Sequence, residues 1–99
     1  MIVIVGTMTI DRRDRDRALA IFRDVAAASR KEPGCAVYAV SADIDEDVFR
    51  VIEEWESREH LAEHLATPHI GSFMARMADV RVIDTHIVQY EVVARRRLL

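Results

Sequence analysis

The sequence predicts an α+β domain in which four antiparallel strands and two helical regions follow the order β-α-β-β-α-β. Three observations carry this. The chain opens on a β-branched apolar run, Ile2–Ile10, and then switches to a helical period. Two strand-like stretches, residues 35–43 and 48–56, are joined by a short acidic turn. A second helical pattern and a final strand-like run over residues 80–93 complete the chain.

On the first strand, Ile2, Ile4 and Met8 share one face and Val3, Val5 and Thr7 the other. Neither face is charged, so both are expected to be covered. From Asp11 onward, Ala18, Leu19, Phe22, Val25, Ala26 and Ser29 form one helical stripe, with the charges of DRRDRDR mostly opposite. KEPG ends this helix, because Pro33 disfavours helix at the residue before it and Gly34 permits a turn. On the third strand Phe49, Val51, Glu53 and Trp55 share one face, and the short DIDED turn before it predicts a hairpin. Ser57 is placed to cap the next helix. Thr67-Pro68 reads as a second N-cap and first-turn pair, so that helix is expected to break and restart. Ile70, Phe73, Met74, Met77 and Ala78 make its second apolar stripe. The last strand is expected to bulge near Asp84, where the alternation slips, and ARRRLL to be a solvated end. The order is that of the ferredoxin-like split. Two helices on one side of the sheet leave the other side bare, and a second copy of the sheet is the expected cover.

The 99 residues are enough for a single domain spanning 1–99. A domain of this size buries roughly 65% of its unfolded surface. The net charge of -3 argues against a nucleic-acid binder, which needs a basic face to neutralise phosphates. The single cysteine, Cys35, fits a reducing cytoplasm. MIVIVGTMTI has no basic leader and too short an apolar run for a membrane span, so the expected setting is cytoplasmic, with no membrane partner.

Chemistry concentrates in residues 53–73, which hold the only tryptophan and three of the four histidines. HLAEH fits an H-x-x-E-H zinc pattern, with His60 and His64 four apart on one helix. A peptidase also needs a third ligand and a glutamate held over the metal, which the motif does not supply, so no metal is expected. Leu61 and Leu65 are the inward residues, which puts His60 in solvent and His64 at the edge of the buried stripe. His69 lies at an edge beside Phe73. Trp55 ends the third strand just before the helix carrying His64, where helix layer meets sheet. Glu53 points the same way and needs a partner on that apolar face: Arg76, His64 or Tyr38. The bland reading of these side chains is core aromatic, buried ion pair and partly buried structural histidine.

EPGCAVYAV, an acidic turn, FRVIEEW and LAEHLATPHIGSF together resemble the antibiotic biosynthesis monooxygenase (ABM) domain. The resemblance covers nearly the whole chain and is densest from Glu32 to Phe73. It implies a ferredoxin-like fold and a homodimer that packs two sheets into an α+β barrel. It also implies oxygenation of a small aromatic, quinol or polyketide-like substrate without a cofactor. On that reading His64 is the base, Trp55 and Phe73 are pocket walls, and Tyr38 or Arg76 holds the oxyanion. Glu53 and His69 complete the substrate-binding set. The chain has no asparagine, and so departs from the haem-degrading branch, which carries one on its first strand. A dimeric binding or regulatory module using the same pocket without turnover is the alternative.

Overall fold

The computed structural model describes residues 1–45 and 47–99. It contains β1 (Ile2–Ile10), a 3-10 turn (Arg12–Asp14), α1 (Arg15–Ser29), β2 (Cys35–Ala42), β3 (Val48–Trp55), α2 (Arg58–Leu65), α3 (Pro68–Met77) and β4 (Val82–Glu91). The strands form one antiparallel sheet in the order β2-β3-β1-β4. This is the predicted ferredoxin-like α+β arrangement, with the helical region after β3 split in two.

The helix after β1 begins as a 3-10 turn because side chains hold its first residues down. The Asp11 carboxylate accepts from the Arg13 backbone N–H at 2.9 Å, and the Asp14 carboxylate from the Arg81 backbone N–H at 2.9 Å. The break at Thr67-Pro68 is stabilised from both sides. Thr67 Oγ1 accepts from the Ile70 N–H at 3.4 Å and donates to the His64 carbonyl at 2.7 Å. Ser57 caps α2, accepting from the His60 N–H at 3.2 Å. The irregularity near Asp84 is a bulge: Thr9 pairs with Asp84 but Ile10 with Val82, which leaves Ile83 extra. Within the acidic DIDED turn, Glu46 lies outside the described residues.

The faces that the two short helices turn inward differ from the expected stripes. α2 buries Leu61 and His64, three apart, and turns Leu65 outward, 61% exposed. Met74 and Ala78, expected in the stripe of α3, are exposed as well. On α1 the buried stripe takes Ile21, while Leu19 is only partly covered.

Two apolar clusters fill the space between helices and sheet. One surrounds Trp55, with Ile2, Val25, Ala26, Tyr38 and Leu61; the other surrounds Phe49, with Ile10, Ala18, Ile21, Phe22 and Val80. Val40 and Phe73 pack against both. β4 approaches β1 closely enough to require glycine at position 6. A Cβ there would lie 2.5 Å from the His86 carbonyl oxygen and 2.6 Å from Ile87 Cα.

The opposite side of the sheet carries no helix. A shallow groove of about 330 Å³ runs along it, lined by Val5, Thr7, Ile52, His86, Val88 and Tyr90 among others. No helix among the described residues is long and apolar enough to cross a membrane.

Candidate functional site

Strand alternation puts Glu53 and Trp55 on the helix-facing side of β3, and the register sets Tyr38 of β2 directly across from Glu53. The Trp55 indole is fully buried, and its Nε1–H donates to Glu53 Oε1 at 3.0 Å. α2 lays the His64 ring against this group. Its centroid is 4.4 Å from that of Trp55 and 5.6 Å from that of Tyr38. At 2% exposure His64 is fully buried rather than at an edge as expected, because the short α2 has only Leu61 and His64 to turn inward.

The turn between α1 and β2 brings a residue that the sequence reading took only as part of a helix stop. Glu32 Oε2 lies 2.6 Å from His64 Nδ1 and 2.9 Å from His69 Nε2. An ionised carboxylate is acceptor-only, so both imidazoles donate to the same oxygen. That leaves His64 Nε2 facing Glu53 Oε1 at 3.8 Å, within ion-pair reach but beyond a hydrogen bond. Glu53, His64, Glu32 and His69 thus form one continuous string. It runs from the buried sheet face outward to His69, whose side chain is 26% exposed.

The inner end of the string opens on a cavity of about 90 Å³ between the two apolar clusters, lined by Met8, Phe22, Tyr38, Val40, Glu53 and Phe73 among others. Of the residues expected to bind a substrate, Glu53, Tyr38 and Phe73 therefore line one partly open cavity. Trp55 and His64 stand behind Glu53, and His69 lies farther out. Arg76 lies elsewhere. Its Nη1 donates to Asp24 Oδ2 at 2.7 Å, tying the outer surfaces of α3 and α1, and neither side chain lines the cavity.

Burial sets the proton affinities here. Desolvation raises the pKa of the Glu53 carboxyl. The Trp55 hydrogen bond and His64 pull it back, and the nearby Glu32 adds to the rise. Tyr38 is pushed well above an ordinary phenol by burial and then by Glu53, so it is a donor and not a phenolate. Cys35 is also raised by burial, then by Glu32 and Glu53, and its Sγ–H donates to the Val37 carbonyl at 3.7 Å. A protonated thiol of that kind is no nucleophile.

The pairing proposed by HLAEH does not form. His60 turns to Ser57 Oγ at 2.7 Å and to Glu56 at 4.0 Å. Among the described residues, the histidine and carboxylate ligand atoms that converge are those of Glu32, His64 and His69, all within 4.8 Å of one another. Glu32 was legible only through its place just before Pro33-Gly34, a turn that fixes its direction between α1 and β2.

The model of the family "Antibiotic biosynthesis monooxygenase" matches residues 1–76. The chain is 33% identical over 85 residues to "Probable quinol monooxygenase YgiN" of Escherichia coli K12, an alignment covering 76% of this chain and 82% of that protein. Among solved structures, a proposed antibiotic biosynthesis monooxygenase from Deinococcus radiodurans superposes with a TM-score of 0.91 and 25% identity, covering 100% of this chain and 99% of that one. A further antibiotic biosynthesis monooxygenase structure gives a TM-score of 0.82 at 29% identity, covering 95% of this chain and 100% of that chain. The matched region holds every member of the Glu53–His64–Glu32–His69 string and the cavity residues Tyr38 and Phe73. The chain belongs to the antibiotic biosynthesis monooxygenase family.

Proposed function

We propose that the protein is a monooxygenase of a small reduced aromatic, of the quinol class, bound in the cavity between helices and sheet. The observation that carries this reading is the string from Glu53 to His69, which ends in an apolar cavity that Tyr38 also lines. Family membership and the likeness to a quinol monooxygenase support the reaction class.

A quinol can supply all the electrons the reaction needs. One atom of dioxygen enters the ring, the other leaves as water, and the quinol ends as a hydroxyquinone, so no separate reductant is consumed. The protein's part is to take the phenolic proton, hold the anion and keep water away. Glu53 faces the cavity, and burial raises its pKa toward the range where a carboxylate makes an effective base. This moves the first proton acceptor from His64 to Glu53, with His64 behind it as the next acceptor. Tyr38 donates to the developing oxyanion. Phe22 and Phe73, with centroids 6.0 Å apart, supply apolar walls. At about 90 Å³ the cavity is smaller than the roughly 150 Å³ known to admit a benzene ring. A substrate therefore enters by displacing Phe73, only partly buried, or Ile87, 43% exposed and also in the cavity lining.

We further propose that the working unit is a homodimer joined through the helix-free sheet face. That face presents Ile52 at 42% and Tyr90 at 54% exposure.

The test is oxygen uptake by the metal-free protein with a panel of reduced quinols and anthrones, without flavin. Stoichiometric uptake with a hydroxylated product supports the proposal. Saturable quinol binding without uptake would assign the pocket to a binding module instead.

A further inference from the structure

We propose that Glu32, His64 and His69 form a binding site for a divalent first-row transition metal, through Glu32 Oε2, His64 Nδ1 and His69 Nε2. Two imidazoles and one carboxylate are a donor set suited to zinc, iron, cobalt or nickel rather than to magnesium or calcium. The three ligands come from separate elements with fixed directions: the Pro33-Gly34 turn, the last turn of α2 and the first turn of α3. Thr67 ties the latter two together through its bond to the His64 carbonyl at 2.7 Å.

The spacing fits with small movements. Donors about 2.1 Å from one ion, at octahedral to tetrahedral angles, lie roughly 3.0–3.4 Å apart. The present separations to Glu32 Oε2 are 2.6 Å for His64 and 2.9 Å for His69. Each imidazole must open from Glu32 by a few tenths of an ångström, and the two imidazole nitrogens, within 4.8 Å of each other, must close onto the common ion. His64 is sealed from solvent, whereas Glu32 at 12% and His69 at 26% leave an outer side for water as a further ligand.

The surroundings offer a carboxylate facing the second nitrogen of the buried imidazole, at a distance that must close to make a hydrogen bond. Such an imidazole usually donates its second N–H to a carboxylate. With Nδ1 on the ion, the His64 proton moves to Nε2, where Glu53 Oε1 lies 3.8 Å away and is itself held by Trp55. The motif that suggested metal in the sequence, His60 with His64, contributes only one of its two histidines. With an ion bound, Glu32 no longer accepts from either ring, so the proton path of the proposed turnover belongs to the metal-free form. The site does not depend on that turnover.

The experiment titrates metal-stripped protein with Zn2+ by calorimetry and with Co2+ by visible absorption, at neutral pH. One ion per chain, with a Kd tighter than about 100 μM, is expected. His69→Ala and Glu32→Gln should each weaken it by about tenfold or more. His60→Ala should leave it unchanged, and Mg2+ should not compete. Zn2+ should raise the melting temperature of wild type but not of His69→Ala, which also shows whether that variant is folded. Binding weaker than about 100 μM in wild type would mean a hydrogen-bonded cluster only and would overturn the inference. Tight binding that survives both ligand variants and is lost in His60→Ala would also overturn it, assigning the ion to the surface of α2.

Discussion

His64 stands between two carboxylates, while His60, four residues earlier on the same helix, turns to a serine. The difference predicts their functional weight. Removing Glu53 as base, by Glu53→Gln, should lower quinol turnover by about 10²–10⁴-fold. His64→Gln should lower it by a smaller factor, since His64 acts through Glu53, and His60→Ala by less than about twofold. Steady-state rates with thermal melts of each variant check the order. Equal, near wild-type rates for Glu53→Gln and His64→Gln would move the base elsewhere. The same carboxylate predicts a pH effect on stability. Its pKa is raised in the folded state, so the folded protein holds that proton more tightly than the unfolded chain. Its stabilising contribution is present below the unfolded carboxyl pKa and is lost as pH rises through the folded one. Denaturant titrations of wild type and Glu53→Gln should therefore diverge in that window, with the glutamine variant gaining relative stability toward neutral pH. At this scale Trp55, Glu53, Tyr38 and His64 were legible because strand alternation and helical spacing fix where they point. Glu32 was not, because a turn residue has no period, and its bond to two histidines is a long-range contact.

Among the elements, the two junctions that aim the site are the Pro33-Gly34 turn and the Thr67-Pro68 break. Gly34 has φ +80°, in the left-handed region, and a Cβ there would fall 2.3 Å from the His60 ring. Gly34→Ala should destabilise the fold by about 1–2 kcal/mol from backbone strain alone, before any displacement of His60. Chemical denaturation would show this as a lower midpoint at unchanged slope. Because the turn also sets Glu32, the variant should lose more activity than a cap variant of equal instability, such as Ser57→Ala. Both junctions could be read from sequence, since proline and glycine restrict the backbone locally. The phase of the helical faces was harder. Spacing from Leu61 puts Leu65 inside, and spacing from Ile70 and Phe73 puts Met74 inside, yet both lie outside, because each short helix turns only a narrow face to the sheet. The bulge at Ile83 was visible as a slip in alternation, whereas its pairing partners, Thr9 and Ile10, lie far away in sequence.

For the whole molecule, the question is what covers the second face of the sheet. An antiparallel sheet can meet water on one side when that side is polar. Here the middle of the face carries Val3, Val5, Ile52 and Val88, while Arg50, Glu54 and Asp84 sit among and around them. Apolar centre with charged surroundings is the pattern of an interface. A twofold partner would set the same residues against themselves, so one added charge is met by its own copy. Ile52→Glu is the cleaner probe than Val5→Glu, because Ile52 is already 42% exposed in the single chain and the change should not disturb its folding. Light scattering at micromolar concentration should give twice the 11.3 kDa chain mass for wild type and the chain mass for Ile52→Glu. Circular dichroism would confirm that the variant keeps its sheet and helices. A wild-type protein of 11.3 kDa would refute the dimer outright. A dimeric Ile52→Glu variant would move the interface to another surface, such as the helical layer, where Leu65 and Met74 are exposed.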